Sequence, residues 1–357
     1  MVVEENKPLA PFTTFGIGGP ARWFVEATSE DEVIEAAGWA REQGLPLFVL
    51  GGGSNLLVAD RGFEGLVLKV GLKGIRVYKD HPRSEPGDPW GYDVAAGEDW
   101  CDFVERAVAD GCSGIECLAG IPGTVGGTPV QNVGAYGQEV SSRIGSVRAF
   151  DLQDGIFRLF LNAACGFSYR RSRFNTVDRG RYIVTRVSFG LFPGGATTVS
   201  YPELRQAVAR AVPAGREPTL SEVAAVVKQV RQSKGMLLVE GDPDCRSAGS
   251  FFKNPVAEEA VVRRVGEVAG KEPPTFPAGK DQAGWVKIPA AWLIEQAGFS
   301  KGFALGKAGV SSRHTLALIN LGGATAADIL ALADEISAAV QARFGISLEM
   351  EPVLLGF

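Results

Sequence analysis

Apolar and polar positions trade periods several times along the chain, and each change predicts an element. After Pro20 the run ARWFVEA alternates apolar with polar, the period of a half-buried strand. Ser29 followed by Glu32 predicts a capping box, and Val33, Ile34 and Ala37 on one face predict a helix that ends at Gly44. LPLFVL at 45–50 and GLVLKV at 65–70 are short apolar runs and predict buried strands. Asp99 is the expected N-cap of a helix reaching Gly111. Between 143 and 192 the runs SVRAFDL, IFRLFL and RYIVTRVSFGLF predict strands. Thr219 and Glu222 form a second capping box ahead of Val223, Val226, Val227 and Val230, which share a helix face. A last helix is predicted from Thr325 to Arg343, with Ile329, Leu332, Ile336 and Val340 at core spacing, and ISLEMEPVLLGF reads as a closing strand. The design is α+β, or mixed α/β, without internal repeats. The polar stretch KDHPRSEPGDPWG at 79–91 is expected to be an exposed loop or hairpin tip, and PGGATTVS at 193–200 marks a weak boundary.

At 357 residues, two or three domains are expected. Hydrophobic residues at 45% and charged residues at 22% describe a soluble globular chain, not a disordered one. A net charge of −5 argues against a nucleic-acid binder held by bulk charge. Only His81 and His314 are present, which argues against a multi-histidine metal site and leaves little for a serine–histidine triad; no metal is expected. Cysteines at 101, 112, 117, 165 and 245 contain no CxxC pair and suit reduced, buried thiols. The opening MVVEENKPLAPF lacks a basic and an apolar signal region, and no window approaches a membrane span, so a cytoplasmic protein with no membrane partner is expected.

Several motifs carry candidate chemistry. Gly16-Ile-Gly18-Gly19-Pro20-Ala21 matches the dinucleotide fingerprint G-x-G-x-x-A, yet it leads into a strand-like run rather than a helix, which argues against that use. Gly51-Gly52-Gly53-Ser54-Asn55 directly follows a predicted strand. It is either a plain tight turn or an anion-binding nest in which consecutive N–H groups converge, with Ser54 and Asn55 adding donors. The segment 114–137, GIECLAGIPGTVGGTPVQNVGAYG, is glycine-rich but almost free of charge, so it reads as buried irregular backbone. It is either an internally packed loop or the bed of a flat cofactor. Tyr169-Arg170-Arg171-Ser172-Arg173 is a solvated basic loop or a guanidinium fork for a carboxylate or phosphate. Ser250, in SAGSFFKNP, lies on a small-residue turn; with histidine so scarce, a proton-donating serine is a more natural role than a histidine-activated nucleophile. Glu349 and Glu351 lie two apart in the predicted final strand and so share a face, as a solvated pair or as site residues.

Taken together, TTFGIGGPARWFVEA, LGGGSNLLV, GIPGTVGGTPVQNVGAYG, FSYRRSRF, SAGSFFKNP and LEMEPVLLG resemble the UDP-N-acetylenolpyruvoylglucosamine reductase (MurB) family, in the family's order and over most of the chain. The resemblance implies an FAD-binding domain of the vanillyl-alcohol-oxidase type at 1–200, in two α/β subdomains split near 72. It also implies a substrate-binding α/β domain at 201–357 whose last strand returns to the active site. It implies that Gly51, Gly52, Gly53, Ser54 and Asn55 hold the FAD pyrophosphate. Ile121, Pro122, Gly123, Thr124, Val125 and Gly126, with Gln131, Asn132, Gly134, Ala135 and Tyr136, would wrap the flavin. Arg170 matches the arginine at the substrate carboxylate, Ser250 the proton donor and Glu351 the active-site glutamate, with Glu349 and Arg171 as rivals. Tyr201 matches the tyrosine that covers the substrate in the longer subclass; Lys234, Asn254 and Gln296 match contacts to the UDP-sugar. The implied reaction reduces FAD with NADPH and then the enolpyruvyl group of a UDP-sugar in peptidoglycan precursor synthesis, by a chain expected to be a monomer. The segments 79–91 and 271–287 are longer than the resemblance leads one to expect. The rival readings are another FAD-linked oxidase or dehydrogenase of the same fold and a non-catalytic flavin-binding protein.

Overall fold

The computed structural model describes residues 1–79, 85, 87–278 and 284–357. Parts of the expected loop at 79–91 and of the segment 271–287, His81 included, lie outside the described residues. The chain forms two compact units. The first contains Met1–Lys7, Ala21–Gly52 and Glu64–Ser233; the second contains Pro8–Pro20, Gly53–Phe63 and Lys234–Phe357. This division differs from that of the expected functional domains, because residues 201–233 pack within the first unit. There Leu204, Val208, Val223 and Val227 are buried in one core with Trp100 and Phe103.

In the first unit an antiparallel sheet runs in the order Ile156–Leu161, Ile144–Asp151, Tyr182–Pro193, Trp90–Ala95, Ile75–Tyr78. A second sheet orders Glu4–Pro8, Pro20–Ala27, Phe63–Val70 and Leu47–Leu50, the last two parallel. The helix Glu30–Glu42 starts where Ser29 accepts the Glu32 N–H, but the Glu32 carboxylate reaches back to Thr28 rather than to Ser29. Its buried face is Val33, Ala36, Ala37 and Ala40; Ile34, expected inside, is exposed, because the 3.6-residue period places it off that stripe. The helix Trp100–Ala109 is capped by Asp99, as expected, and its Trp100 and Phe103 pack against Phe189. The helix Leu220–Ser233 carries the expected reciprocal Thr219–Glu222 box. Val223 and Val227 are buried, and the next residue on that row is Arg231, also buried, while Val230 is only partly so.

In the second unit Ile329, Leu332, Ile336 and Val340 of the helix Ala326–Phe344 are fully buried with Phe15, Leu57, Phe251 and Phe252. Thr325 and Asp328 cap that helix reciprocally. Small sheets surround it: Val256–Glu258, Trp285–Lys287 and Phe276–Pro277; Ala304–Leu305, Ala308–Val310 and Leu318–Asn320; and Val353–Leu355, parallel to Leu56–Val58. The closing segment is not one strand. Met350 makes a single bridge to Phe252, and the ladder resumes only at Val353. Pro352 lies between them and has no N–H to donate. Glu349 and Glu351 therefore do not sit on one face of a regular strand. None of the described helices is long and apolar enough to cross a membrane.

Candidate active site

In the first unit, Arg170 lies in a turn closed from both sides, Ser168 N–H to the Arg171 carbonyl at 2.9 Å and Arg171 N–H to the Ser168 carbonyl at 3.1 Å. Its φ of +57° falls in the left-handed region, which a long L side chain enters at a cost of order 1 kcal/mol or more. Three side-chain contacts hold the turn there. Asn175 donates to the Arg170 carbonyl at 3.1 Å, Ser172 Oγ to the Val130 carbonyl at 2.6 Å, and Asn132 Nδ2 to the Ser168 carbonyl at 3.0 Å. The Arg170 guanidinium donates to the Gly134 carbonyl at 2.9 Å, so the arginine motif and the segment 130–134 form one assembly. Arg170 is half-buried, whereas Arg171 is exposed.

The glycine-rich segment is irregular backbone, buried over 114–120 as expected but mostly half-buried over 121–137, and the protein itself satisfies much of it. The carbonyls of Leu118, Gly120, Ile121 and Gly123 accept from Trp100 Nε1 (3.2 Å), Arg231 Nε (3.0 Å), Cys101 Sγ (3.2 Å) and Trp100 N (3.0 Å). Gly126 admits no side chain, since a Cβ there would stand 2.5 Å from that of Ala96. The Asn132 side chain is fully engaged by Glu139, Ser168 and Ser141, so only its backbone can serve a cofactor. The Tyr136 ring meets Tyr201 edge-on at 5.7 Å. Burial pushes the Tyr136 phenol up to about 12, against the pull of Arg231. Burial likewise lowers the Arg231 pKa, against the opposing influence of Tyr136 and Cys101. Sequence reasoning missed Arg231. The signal was a charged residue in the row Val223, Val227, 231, which otherwise faces the core.

In the second unit, Ser250 is half-buried and follows Gly249, whose φ of +72° reverses the chain just before it. Phe251 and Phe252 anchor the far side of the turn in the core. The backbone then ties three distant motifs together. Glu351 N–H donates to the Phe251 carbonyl at 2.9 Å and Lys253 N–H to the Glu349 carbonyl at 2.9 Å. Asn55 Nδ2 donates to the Glu351 carbonyl at 3.2 Å, and the Asn55 carbonyl accepts from Val353 N–H at 2.9 Å. Glu351 and Asn55 are thus hydrogen-bonded to each other and, through the Phe251 carbonyl, to the residue that follows Ser250. The rival Glu349 forms an ion pair with Lys253 at 2.5 Å and leaves 61% of its side chain exposed; Glu351 is half-buried. Asn254 Oδ1 accepts the first N–H of the helix Ala290–Gln296 at 2.9 Å. Lys234 and Gln296 are half-buried.

The triple-glycine loop serves close packing as well as any ligand. A Cβ on Gly52 would come within 2.5 Å of Gly123 Cα, and one on Gly53, whose φ is +63°, within 1.8 Å of the Phe12 carbonyl oxygen. Among the described residues no backbone carbonyl accepts the N–H of Gly53 or Ser54. Amide donors, one hydroxyl, one carboxamide and no carboxylate at 51–55 fit the pyrophosphate of a dinucleotide. The nearly charge-free 121–136 segment fits a flat, neutral ring system.

Comparison with known proteins decides the family. A relative in Thermobifida fusca, UDP-N-acetylenolpyruvoylglucosamine reductase, is 47% identical over 360 residues, covering 99% of this chain and 98% of its own. The chain belongs to the UDP-N-acetylenolpyruvoylglucosamine reductase family. A relative of the same name in Streptomyces coelicolor is 46% identical, covering 99% of this chain and 90% of its own. Residues 242–355 match the family profile described as the C-terminal domain of that reductase, and residues 21–159 match one described as an FAD binding domain. The solved structure of the family member from Thermus caldophilus superposes with a TM-score of 0.63 at 28% identity, covering 99% of both chains. The expected mixed α/β architecture and FAD cofactor follow for this oxidoreductase family member.

Proposed function

We propose that the protein uses NADPH to reduce the enolpyruvyl group of UDP-N-acetylglucosamine enolpyruvate to UDP-N-acetylmuramate, a peptidoglycan precursor. The names and full-length similarity of its relatives support the reaction. The observation that carries the site assignment is the Glu351 N–H to Phe251 carbonyl bond of 2.9 Å, which joins the glutamate motif to the residue following Ser250. Residues 51–55 would hold the pyrophosphate of FAD, and 121–126 with 131–136 its ring system; when bound and reduced by NADPH it would supply the hydride for the methylene carbon of the enolpyruvyl group.

Hydride addition places an electron pair on the neighbouring carbon of the substrate, delocalised into the carboxylate as an enediolate. Arg170 stabilises that charge, and its strained, side-chain-braced turn means that little reorganisation accompanies the reaction. Glu351, protonated beside an anionic substrate, donates a second hydrogen bond to the same group. Ser250 gives its hydroxyl proton to the carbanionic carbon; the intermediate is basic enough that a poor acid suffices, and solvent reprotonates the serine. Tyr201 covers the sugar nucleotide, while Lys234, Asn254 (through its NH₂ group) and Gln296 bind it. On this reading residues 1–200 serve FAD and 201–357 serve the substrate, and the chain works as a cytoplasmic monomer.

The test is direct. The FAD-loaded protein should be yellow, NADPH should bleach it without oxygen, and the enolpyruvyl UDP-sugar should restore the colour. Bleaching with no restoration by that sugar removes the proposal and favours another flavin-linked oxidoreductase.

A further inference from the structure

Thr14 and Phe15, just ahead of the fingerprint-like motif at 16–21, have no part in the function described so far, yet their contacts lead to the Ser250 turn. Thr14 Oγ1 donates to the Ser247 carbonyl at 2.5 Å, across 233 residues of chain. Ser247 Oγ in turn accepts the Gly249 N–H at 3.1 Å, and Gly249 carries the left-handed conformation that presents Ser250. The next residue, Phe15, packs edge-on against Phe251 at 6.3 Å, on the other side of Ser250. Phe251 N–H donates to the Leu316 carbonyl at 2.8 Å. Thr14 N–H itself donates to the Gly53 carbonyl at 3.2 Å, so the threonine takes its own position from the triple-glycine loop.

We propose that Thr14 is a positioning residue for Ser250, acting through the Ser247 carbonyl. Ser250 lies outside any strand ladder, so a small number of hydrogen bonds sets where its hydroxyl sits. A proton donor works only within about 2.6–3.2 Å of its target, and a shift of about 1 Å can cost roughly 100-fold in rate. Deleting the Thr14 hydroxyl leaves the Ser247 carbonyl without this donor and allows the 247–250 turn to relax. The methyl group and β-branch do not supply the effect; the O–H does. The inference rests on the reading of Ser250 as proton donor.

The test uses the FAD-loaded enzyme, anaerobic stopped-flow and the two half-reactions separately. Thr14→Val keeps the shape and removes the O–H. It should leave FAD affinity and the rate of bleaching by NADPH within about 2-fold, and slow recolouring by the enolpyruvyl UDP-sugar by about 10- to 100-fold. Thr14→Ser, which keeps the hydroxyl, should restore recolouring to within about 3-fold of the parent. In a Ser250→Ala background, Thr14→Val should add nothing, because residues acting as one unit are non-additive. Hydrogen exchange of the holoenzyme should quicken at 247–251 in Thr14→Val and stay unchanged at 114–137. If Thr14→Val fails to retain FAD, Ser247→Ala removes the next link and should give the same split between half-reactions. Equal slowing of both half-reactions, additivity with Ser250→Ala, or unchanged exchange at 247–251 each overturns the proposal. If Ser250→Ala itself recolours at the parental rate, the proton-donor reading fails first, and the role of Thr14 falls with it.

Discussion

The Arg170 turn and the Ser250 turn are both irregular, half-buried loops that present one reactive side chain, yet they are held by different strategies. The Arg170 turn is braced by two stretches of one unit: Asn175 from five residues away, and Val130, Asn132 and Gly134 through bonds that span 36 to 42 residues. It sits in a unit whose long antiparallel sheet and aromatic core of Trp100, Phe103 and Phe189 fix the surroundings. The Ser250 turn is held by Thr14, Phe15, Leu316 and Glu351, residues that approach from both ends of the chain. The Arg170 turn tolerates a strained φ because several side-chain contacts from within its own unit over-determine it. The Ser250 turn distributes control over a few single bonds, so point changes far away in sequence should be felt at the serine.

The largest effect expected is at the serine itself. Ser250→Ala should leave bleaching by NADPH nearly intact and slow recolouring by about 10²- to 10⁴-fold, read by anaerobic stopped-flow. Equal loss in both phases would remove it from the proton-donor role. Arg170→Ala should slow the same phase; if the rate is unchanged, the guanidinium that matters is that of Arg171. On the stability side, Trp100→Ala should cost about 3–5 kcal/mol, seen as a large fall in the unfolding midpoint, because it empties the centre of the first unit's core.

Smaller effects distinguish the units by pH. In the second unit burial opposes ionisation of Asp244. Hydrogen bonds from Ser312, Arg313 and Ser311 nonetheless hold its pKa down to about 2. A lowered carboxylate pKa stabilises the fold above the unfolded value near 4 and loses that contribution as pH falls through the folded value. The contribution is about 2 kcal/mol, so denaturant midpoints should fall between roughly pH 4 and 2, and Asp244→Asn should flatten that slope. Asp151 of the first unit is also held well below its ordinary range, chiefly by hydrogen bonds from Arg181 and then Arg158, and should retain its contribution to lower pH. The smallest effect expected is from Glu349→Gln, which removes a largely exposed ion pair worth at most about 1 kcal/mol and should leave turnover unchanged. Glu351→Gln should slow recolouring. The reverse pattern would transfer the acid role to Glu349.

What the sequence disclosed and what it hid follow the same division. Helix starts at Ser29, Asp99, Thr219 and Thr325 were legible because a cap is written within four residues. The irregular, nearly uncharged character of 114–137 was legible from composition, and so was the burial of 114–120. Its carbonyl partners were not, because Trp100, Cys101 and Arg231 meet it through tertiary packing. The final segment read as one strand because its alternation is regular; Pro352 interrupts the ladder, and the pattern of apolar residues does not register that. The glycines at 16–21 matched a dinucleotide fingerprint that the following strand argued against, whereas nothing in the sequence pointed to Thr14 just before them, whose acceptor lies 233 residues away.

That separation has a consequence for synthesis on the ribosome. The second unit recruits Pro8–Pro20 and Gly53–Phe63 from the start of the chain and everything after Lys234 from its end. At about 5–20 residues per second, Phe15 emerges roughly 10–50 s before Phe251, so a nascent chain carries this apolar segment for that interval before its native partner exists. Slow or stalled translation between residues 64 and 233 would lengthen that exposure and with it the need to shield the early segment.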